Sequence, residues 1–394
     1  MNWESLITER AKHMVPSVAA EIIRLSSGHD VISFGGGMPD PALYPAIELQ
    51  EMLARVLTQE TAQSLTYAPV GGFDGLRQLL AQRASAEGAP TLAENVLIVN
   101  GAYQGISVVA EVLLSPGDIV IVEEPTFSGA LEIFAKHQSR VVGVPTDEQG
   151  IRTDMLEEQL ARTGAKLIYL MPNKHNPLGI DMSLERRRAL LGLCSQFGVP
   201  VLTDDPYGAL RYFGEPPVPL RALEGSEAVI AVSTFSKTIA PGIRLGWLEA
   251  PKAIVERLTL AKKDSDRSAN NPMQRAVYHM IRDGAFDRHL ANLVENYRQK
   301  LDYTLTALQD LLPDGIVWTK PSGGFFVWLT LPEGIDAQEV LERSVERGVV
   351  FTAGAHFFPA KNRRNNIRLA FSQTPTERIR EGVQRLAAAL GEVM

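Results

Sequence analysis

The chain has 394 residues, 45% hydrophobic and 22% charged, with a formal net charge of -7. That balance supports a sizeable packed core and speaks against a nucleic-acid partner, whose phosphates need clustered lysine and arginine. One cysteine excludes an intramolecular disulfide, and neither a secretory signal nor an apolar run near the ~20 residues of a membrane span is visible, so a soluble cytoplasmic protein is expected.

The stretch to about residue 47 reads as an arm carrying one helix, "PSVAAEIIRL". Further on, strand and helix patterns alternate. "NVLIVN" precedes the helical "YQGISVVAEVLL", and "DIVIVEEP" precedes "FSGALEIFAKHQ". "RVVGVP" leads to "DMLEEQLARTG", and "AKLIYLMP" leads to "LERRRALLGLCSQFG"; "PVLTDD", "AVIAVSTF" and "RLGWLEAP" follow as strands. Apolar strands separated by helices predict a mostly parallel sheet covered on both faces. After residue 285 the pattern changes to a long helix, short strands and a final helix, an α+β unit. The expected division is a large domain over 48–285, with 1–47 and 286–394 forming an arm and a smaller domain. Cys194 sits in an amphipathic helix and reads as a core residue. The basic runs near Arg186 and Arg363 read as solvated faces.

Residues able to carry chemistry fall where strands end: "NGAYQG" (100–105), "EEPTFSG" (123–129), "NKHNPLG" (173–179), "TDDPYG" (203–208), "STFSK" (233–237), "PGIRLG" (241–246) and "NNIRLAFS" (365–372). Right-handed crossovers place such loops on one edge of the sheet, where α/β proteins bind ligands. The helix opening at "NGAYQG" offers its N–H groups to an anion. Thr234, Ser236 and Arg244 add hydroxyls and a forked guanidinium suited to phosphate. Asp204 is a costly carboxylate unless a cation or donor faces it. Lys237 can form an imine with an aldehyde, and Phe127 offers a flat face to a ring. One small molecule uses all of these: pyridoxal 5'-phosphate, with its phosphate, ring nitrogen, hydroxyl and aldehyde.

With "VISFGGGMPDPALYP" near the start, this motif set resembles the fold-type I, class I/II aminotransferases of the aspartate aminotransferase superfamily. The branch holding 2-aminoadipate and kynurenine aminotransferases is the most similar. The resemblance spans essentially the whole chain. It implies a large domain with a mostly parallel, seven-stranded-type sheet flanked by helices, plus a smaller α+β domain. Lys237 matches the lysine that joins the cofactor as an imine and then moves the substrate α-proton as base and acid. Asp204 matches the acid that keeps the pyridine nitrogen protonated, making the ring a better electron sink. Tyr207 and Asn176 match the groups on the ring 3-oxygen, and Phe127 the aromatic stacked on the ring. Thr234, Ser236 and Arg244 match the phosphate cup, helped by the backbone of Ala102 and Tyr103. Arg368 matches the arginine that grips the substrate α-carboxylate, Gly37 the glycine closing over it, and Asn176 borders the same substrate. Tyr67 resembles a tyrosine that reaches a neighbouring subunit's phosphate, implying a homodimer with shared sites.

The implied reaction passes an amino group from an L-amino acid to a 2-oxo acid, 2-oxoglutarate on family grounds, with ping-pong kinetics. A lyase, decarboxylase or racemase on the same cofactor is the alternative; a ligand-sensing domain of a regulator is a remoter one, since residues 1–47 show no basic DNA-binding helix. Ala102 and Tyr103 depart from the small hydroxyls or amides of many relatives, shifting the phosphate onto backbone N–H groups. Ala19 and Ala20 stand where relatives that prefer a second carboxylate can carry an arginine, with Arg24 one turn later. This favours an apolar or aromatic donor over a dicarboxylic one; the family branch keeps a 2-aminoadipate-like donor as the alternative. Asp205 reads as a turn residue and Lys174 as a loop charge, while His175 gives no clear signal. His13, His137, His279 and His356 lack metal-ligand spacing, so no metal is expected.

Overall fold

The computed structural model describes residues 1–12, 14, 16–27 and 30–394; His13 and the side chain of Ala19 fall outside the described residues. Strand β1 (Ile32–Ser33) lies in the arm. The next eight are β2 (Val96–Val99), β3 (Ile119–Glu124), β4 (Arg140–Asp147), β5 (Gly150–Ile151), β6 (Leu167–Leu170), β7 (Val201–Asp204), β8 (Val229–Thr234) and β9 (Gly246–Glu249). They form one sheet in the order β2-β9-β8-β7-β6-β3-β4-β5. Strands β4, β3, β6, β7 and β8 run parallel. Strand β9 opposes both β2 and β8, and the two-residue β5 folds back on β4 as an edge hairpin.

Both faces of this sheet are covered, as its continuous apolar strands require. Side chains alternate across a strand. Val120 and Val122 therefore join one core with helices Ala102–Leu113 and Ser128–Lys136. Ile121 joins the opposite core with helices Thr153–Thr163 and Leu184–Phe197. Cys194 is buried in that second core, as expected. Arg187 corrects the reading of its charged run as a solvated face. It is 1% exposed, and its guanidinium donates to the carbonyls of Met182 at 3.0 Å and Pro172 at 2.8 Å.

From β3 the chain moves outward to β4, then returns to the other side of β3 at β6 and continues to β7 and β8. The order reverses between β3 and β6, and the crevice at the carboxyl ends of strands beside such a switch is where an open α/β sheet takes its ligand.

The second unit is an antiparallel sheet of β10 (Val317–Trp318), β11 (Phe326–Thr330), β13 (Thr352–Ala353) and β14 (Asn366–Ala370), ordered β10-β11-β14-β13. Strand β12 (Val349–Val350) pairs in parallel with β1, which brings the arm onto this unit. Helix Ala285–Leu311 is 27 residues long and packs beside Thr376–Val393. Among the described residues, no helix is long and apolar enough to cross a membrane, and no group of three or more His, Cys, Asp or Glu could hold a metal ion.

Candidate active site

Asp204 closes β7 and is 2% exposed. Tyr169 of β6 donates its hydroxyl to Asp204 Oδ2 at 2.9 Å, while Oδ1 is buried without a partner among the described residues. Burial pushes this carboxyl up to about 7; Tyr169 opposes the shift, Asp205 adds to it and Lys237 opposes it. A buried, unpaired carboxylate oxygen is costly, and a cation or N–H placed against it would remove the cost.

Lys237 lies three residues past β8. Its Nζ donates to the Gly37 carbonyl at 2.7 Å and stands 6.0 Å from the centre of the Tyr207 ring. Burial and the charge of Arg368 push this amine down to about 8, against a pull from Asp204. A substantial neutral fraction near neutral pH suits a nucleophile or base. Tyr207 is itself buried, packed edge-on against Phe325 and Phe326 at 5.4 Å each. A side chain at Gly37 would bring its Cβ to 2.6 Å from Phe326, so only glycine lets the arm pass here.

Arg368 stands in the middle of β14, 8% exposed. Its Nη1 donates to Asn176 Oδ1 at 2.9 Å, and its Nη2 to the Gly35 carbonyl at 2.6 Å and Thr352 Oγ1 at 3.2 Å. The guanidinium lies between Phe326 and Phe357, 4.5 and 4.8 Å from the ring centres. Among the described residues its Nε is buried without a partner, and no acid pairs with the guanidinium. Burial pushes it down to about 10. Such a charge calls for an anion.

The third element is a cradle at the start of helix Ala102–Leu113. Gly101 caps it at φ 86, where only glycine is comfortable. A Cβ there would sit 2.8 Å from Arg244 Nη2. Arg244 reaches across to the Asn100 carbonyl at 2.8 Å. Ala102 and Tyr103 open the helix and leave its first N–H groups for an anion. The Thr234 hydroxyl accepts the Ser236 N–H at 3.1 Å and donates to the Leu245 carbonyl at 3.0 Å or to Ser236 Oγ at 2.9 Å. It braces the turn, and Ser236 is the freer hydroxyl.

Two further partners were not read from the sequence. Tyr169 looks like one more apolar strand residue until its register beside β7 is known. Behind the cradle, the fully buried Lys262 donates to Asp266 Oδ1 at 2.7 Å, and Asp266 Oδ2 accepts from Asn100 Nδ2 and, at 2.8 Å, Gln104 Nε2. That network fixes the loop on which Gly101 sits.

Other expected residues are placed less centrally. Phe127 is half-buried as the cap of helix Ser128–Lys136. The Tyr103 side chain turns outward to Glu132 at 3.3 Å. Tyr67 is 76% exposed beside Arg267. Asp205 is a turn residue as read, accepting the Gly208 N–H at 2.8 Å, and it also takes Asn173 Nδ2 at 2.6 Å. Lys174 corrects its reading as a loop charge: it is fully buried, with Nζ 2.7 and 2.5 Å from the two oxygens of Asp181. His175 faces Glu123 at 3.1 Å, and Arg24 is exposed.

These groups suit pyridoxal 5'-phosphate. The orphaned Asp204 Oδ1 could accept from a ring N–H, the Gly101 cradle has room for a phosphate where a Cβ would not fit, and Lys237 could supply the amine. Comparison with known proteins agrees. Residues 29–386 match the family described as aminotransferase class I and II. The chain is 38% identical to aromatic-amino-acid aminotransferase 1 of Thermococcus litoralis, covering 100% of this chain and 96% of that one. The kynurenine aminotransferase of Pyrococcus horikoshii, solved in complex with PMP, with KYN as substrate and KYA as product, superposes with a TM-score of 0.95. It is 33% identical, with 99% of this chain and 98% of that chain covered. LysN, the alpha-aminoadipate aminotransferase of Thermus thermophilus, was solved with N-(5'-phosphopyridoxyl)-L-leucine. It superposes at a TM-score of 0.93 and is 32% identical over 100% and 99% of the two chains.

Proposed function

We infer the details of the reaction from the premise that this chain belongs to the class I and II aminotransferases and is a pyridoxal-phosphate-dependent enzyme of fold type I that moves amino groups. The donor we propose is an L-amino acid with an apolar or aromatic side chain, or 2-aminoadipate. The acceptor is 2-oxoglutarate, and the two take turns in a ping-pong sequence. The observation that carries this reading is Arg368, a buried guanidinium with no acid partner among the described residues. It lies across the Gly35–Gly37 segment from the Lys237 amine. A substrate carboxylate would complete Arg368 and leave its α-carbon to Lys237.

When bound, pyridoxal phosphate supplies an electron sink for the α-carbon. The chain does the rest. Arg368, steadied by Asn176, orients the α-carboxylate. With the cofactor bound, Asp204 Oδ1 would keep a proton on the ring nitrogen, and Tyr207 and Asn176 would hold the ring oxygen. Phe127 would cover the ring face. Arg244, Ser236, Thr234 and the N–H groups of Ala102 and Tyr103 would anchor the phosphate. Lys237 Nζ would serve as the general base and acid for the α-proton.

The apolar or aromatic donor is supported by Ile22 of helix Val18–Leu25, which packs against Gly35 beside Arg368, and by the relative named for aromatic amino acids, while the relative named for aminoadipate supports the dicarboxylic alternative. We assign the enzyme to the cytoplasm as a homodimer in which Tyr67 completes the partner's phosphate site. The division into 48–285 and a joint unit of 1–47 with 286–394 fits the pairing of β1 with β12.

Single-turnover absorbance of the bound cofactor with leucine, phenylalanine, glutamate and 2-aminoadipate tests this. The expected result is conversion to the pyridoxamine form, fastest with apolar, aromatic or 2-aminoadipate donors and reversed by 2-oxoglutarate. A lead for glutamate would overturn the donor preference, and product formation without that interconversion would overturn transamination.

A further inference from the structure

Helix Ala285–Leu311 places Tyr297 and Lys300 on one face, three residues apart. Both are buried, at 0% and 5% exposed. Lys300 Nζ donates to Asp40 Oδ2 at 2.6 Å and to the carbonyls of Ser372 and Thr374 at 2.9 Å each. All three of its hydrogens are therefore used. The Tyr297 hydroxyl accepts the Asp40 N–H at 2.9 Å. The Ser372 hydroxyl donates to the Met38 carbonyl at 2.6 Å.

Three of these bonds end on the segment Gly35–Asp40: those to the Asp40 carboxylate, the Asp40 N–H and the Met38 carbonyl. The segment belongs to no helix or strand, and its three consecutive glycines have no side chains to anchor it. Its position must come from bonds to its backbone and to Asp40: Thr352 Oγ1 donates to the Gly35 carbonyl at 2.9 Å, Ser372 to that of Met38, and Lys300 and Tyr297 hold Asp40. Two of its carbonyls face the reacting groups: that of Gly35 accepts from Arg368, and that of Gly37 accepts from Lys237. A buried lysine is held at a cost in desolvation and side-chain freedom, and this one spends its charge on fixing a glycine strap.

We propose that Lys300 is a positioning residue for amino-group transfer: through Asp40 it holds the Gly35–Asp40 strap, whose carbonyls set where the Lys237 amine and the Arg368 guanidinium stand. This rests on the roles proposed above for Lys237 and Arg368.

The test compares Lys300→Met, Lys300→Arg and Tyr297→Phe with the wild type. Three quantities are read: the pH midpoint of the bound-cofactor absorbance, the donor KM against kcat, and amide exchange of residues 35–40 in cofactor-free protein. Lys300→Met is expected to speed that exchange and to raise the donor KM by about tenfold, the loss of one charged hydrogen bond. It also moves the absorbance midpoint by about half a pH unit or more. Lys300→Arg restores most of each, and Tyr297→Phe gives smaller changes in the same directions. A merely structural brace would lower Tm and leave midpoint and KM in place. Wild-type midpoint and KM in folded Lys300→Met overturn the proposal; where that variant does not fold, the same result in Tyr297→Phe does so. Failure of the underlying reading looks different, because the wild type would then show neither a titrating cofactor band nor donor turnover.

Discussion

Asp204 and Lys237 have opposite effects on the stability of the cofactor-free chain as pH changes. The folded Asp204 titrates near 7 against a usual 3.8, so the fold binds its proton more tightly than the unfolded chain does. Its cost is absent below about pH 4, grows as pH rises, and is complete above about pH 7, on the order of 4 kcal/mol. Asp204→Asn is expected to flatten this slope in urea titrations across pH 4–7, and cofactor binding to flatten it in the wild type, because the ring N–H pairs the free oxygen. Lys237 is depressed from 10.5 to about 8, so its charged form burdens the fold below pH 8 and the burden lifts toward pH 10.5. Lys237→Met should therefore stabilise the cofactor-free protein at pH 7, with the gain vanishing above about pH 10. Its transamination rate should fall by roughly 10⁴-fold, the upper range for losing a positioned base.

At the scale of elements, the cradle joins strand β2, helix Ala102–Leu113 and the Lys262–Asp266 pair. Gly101→Ala puts a Cβ against Arg244 at a positive φ. It is expected to weaken cofactor binding by about tenfold or more, read by fluorescence titration. Asp266→Ala strands the buried Lys262. It should cost roughly 3 kcal/mol in denaturant unfolding, the scale of a broken buried pair, and weaken cofactor binding as well. The strands that carry these sites were legible because each is a short apolar run bounded by turn residues, and their loops announced themselves through glycines, prolines and lone charges. What stayed hidden depended on partners distant in sequence. Arg187 looks solvated within "ERRRA" until the carbonyls of Pro172 and Met182 converge on it. Lys174 looks like a loop charge until Asp181, Arg211 and Ser322 gather in one place. Tyr169 carried no signal at all, since its hydroxyl matters only through strand register. Lys300 likewise reads as the polar side of a long helix, because nothing local shows that the arm returns to it.

Across the whole molecule, Trp3, Ile47, Leu65 and Tyr67 leave apolar surface open in the N-terminal part of the chain, with Tyr67 76% exposed. Surface of this kind suits a second copy of the chain. The holoenzyme is expected to sediment as a dimer, and Tyr67→Phe to keep that dimer while losing about tenfold in cofactor affinity, the worth of one charge-assisted hydrogen bond. A monomer, or a Tyr67→Phe variant with unchanged affinity, would argue against shared sites.

The arrangement stands on Lys237 as the amine that carries the cofactor opposite Asp204. Borohydride reduction of the loaded enzyme, followed by mass mapping of its peptides, tests this most directly. The expected adduct lies on the peptide containing Ser236, Lys237 and Thr238 and is lost in Lys237→Ala. An adduct on Lys174, the other buried amine pushed down to about 8, or no adduct at all, would contradict it.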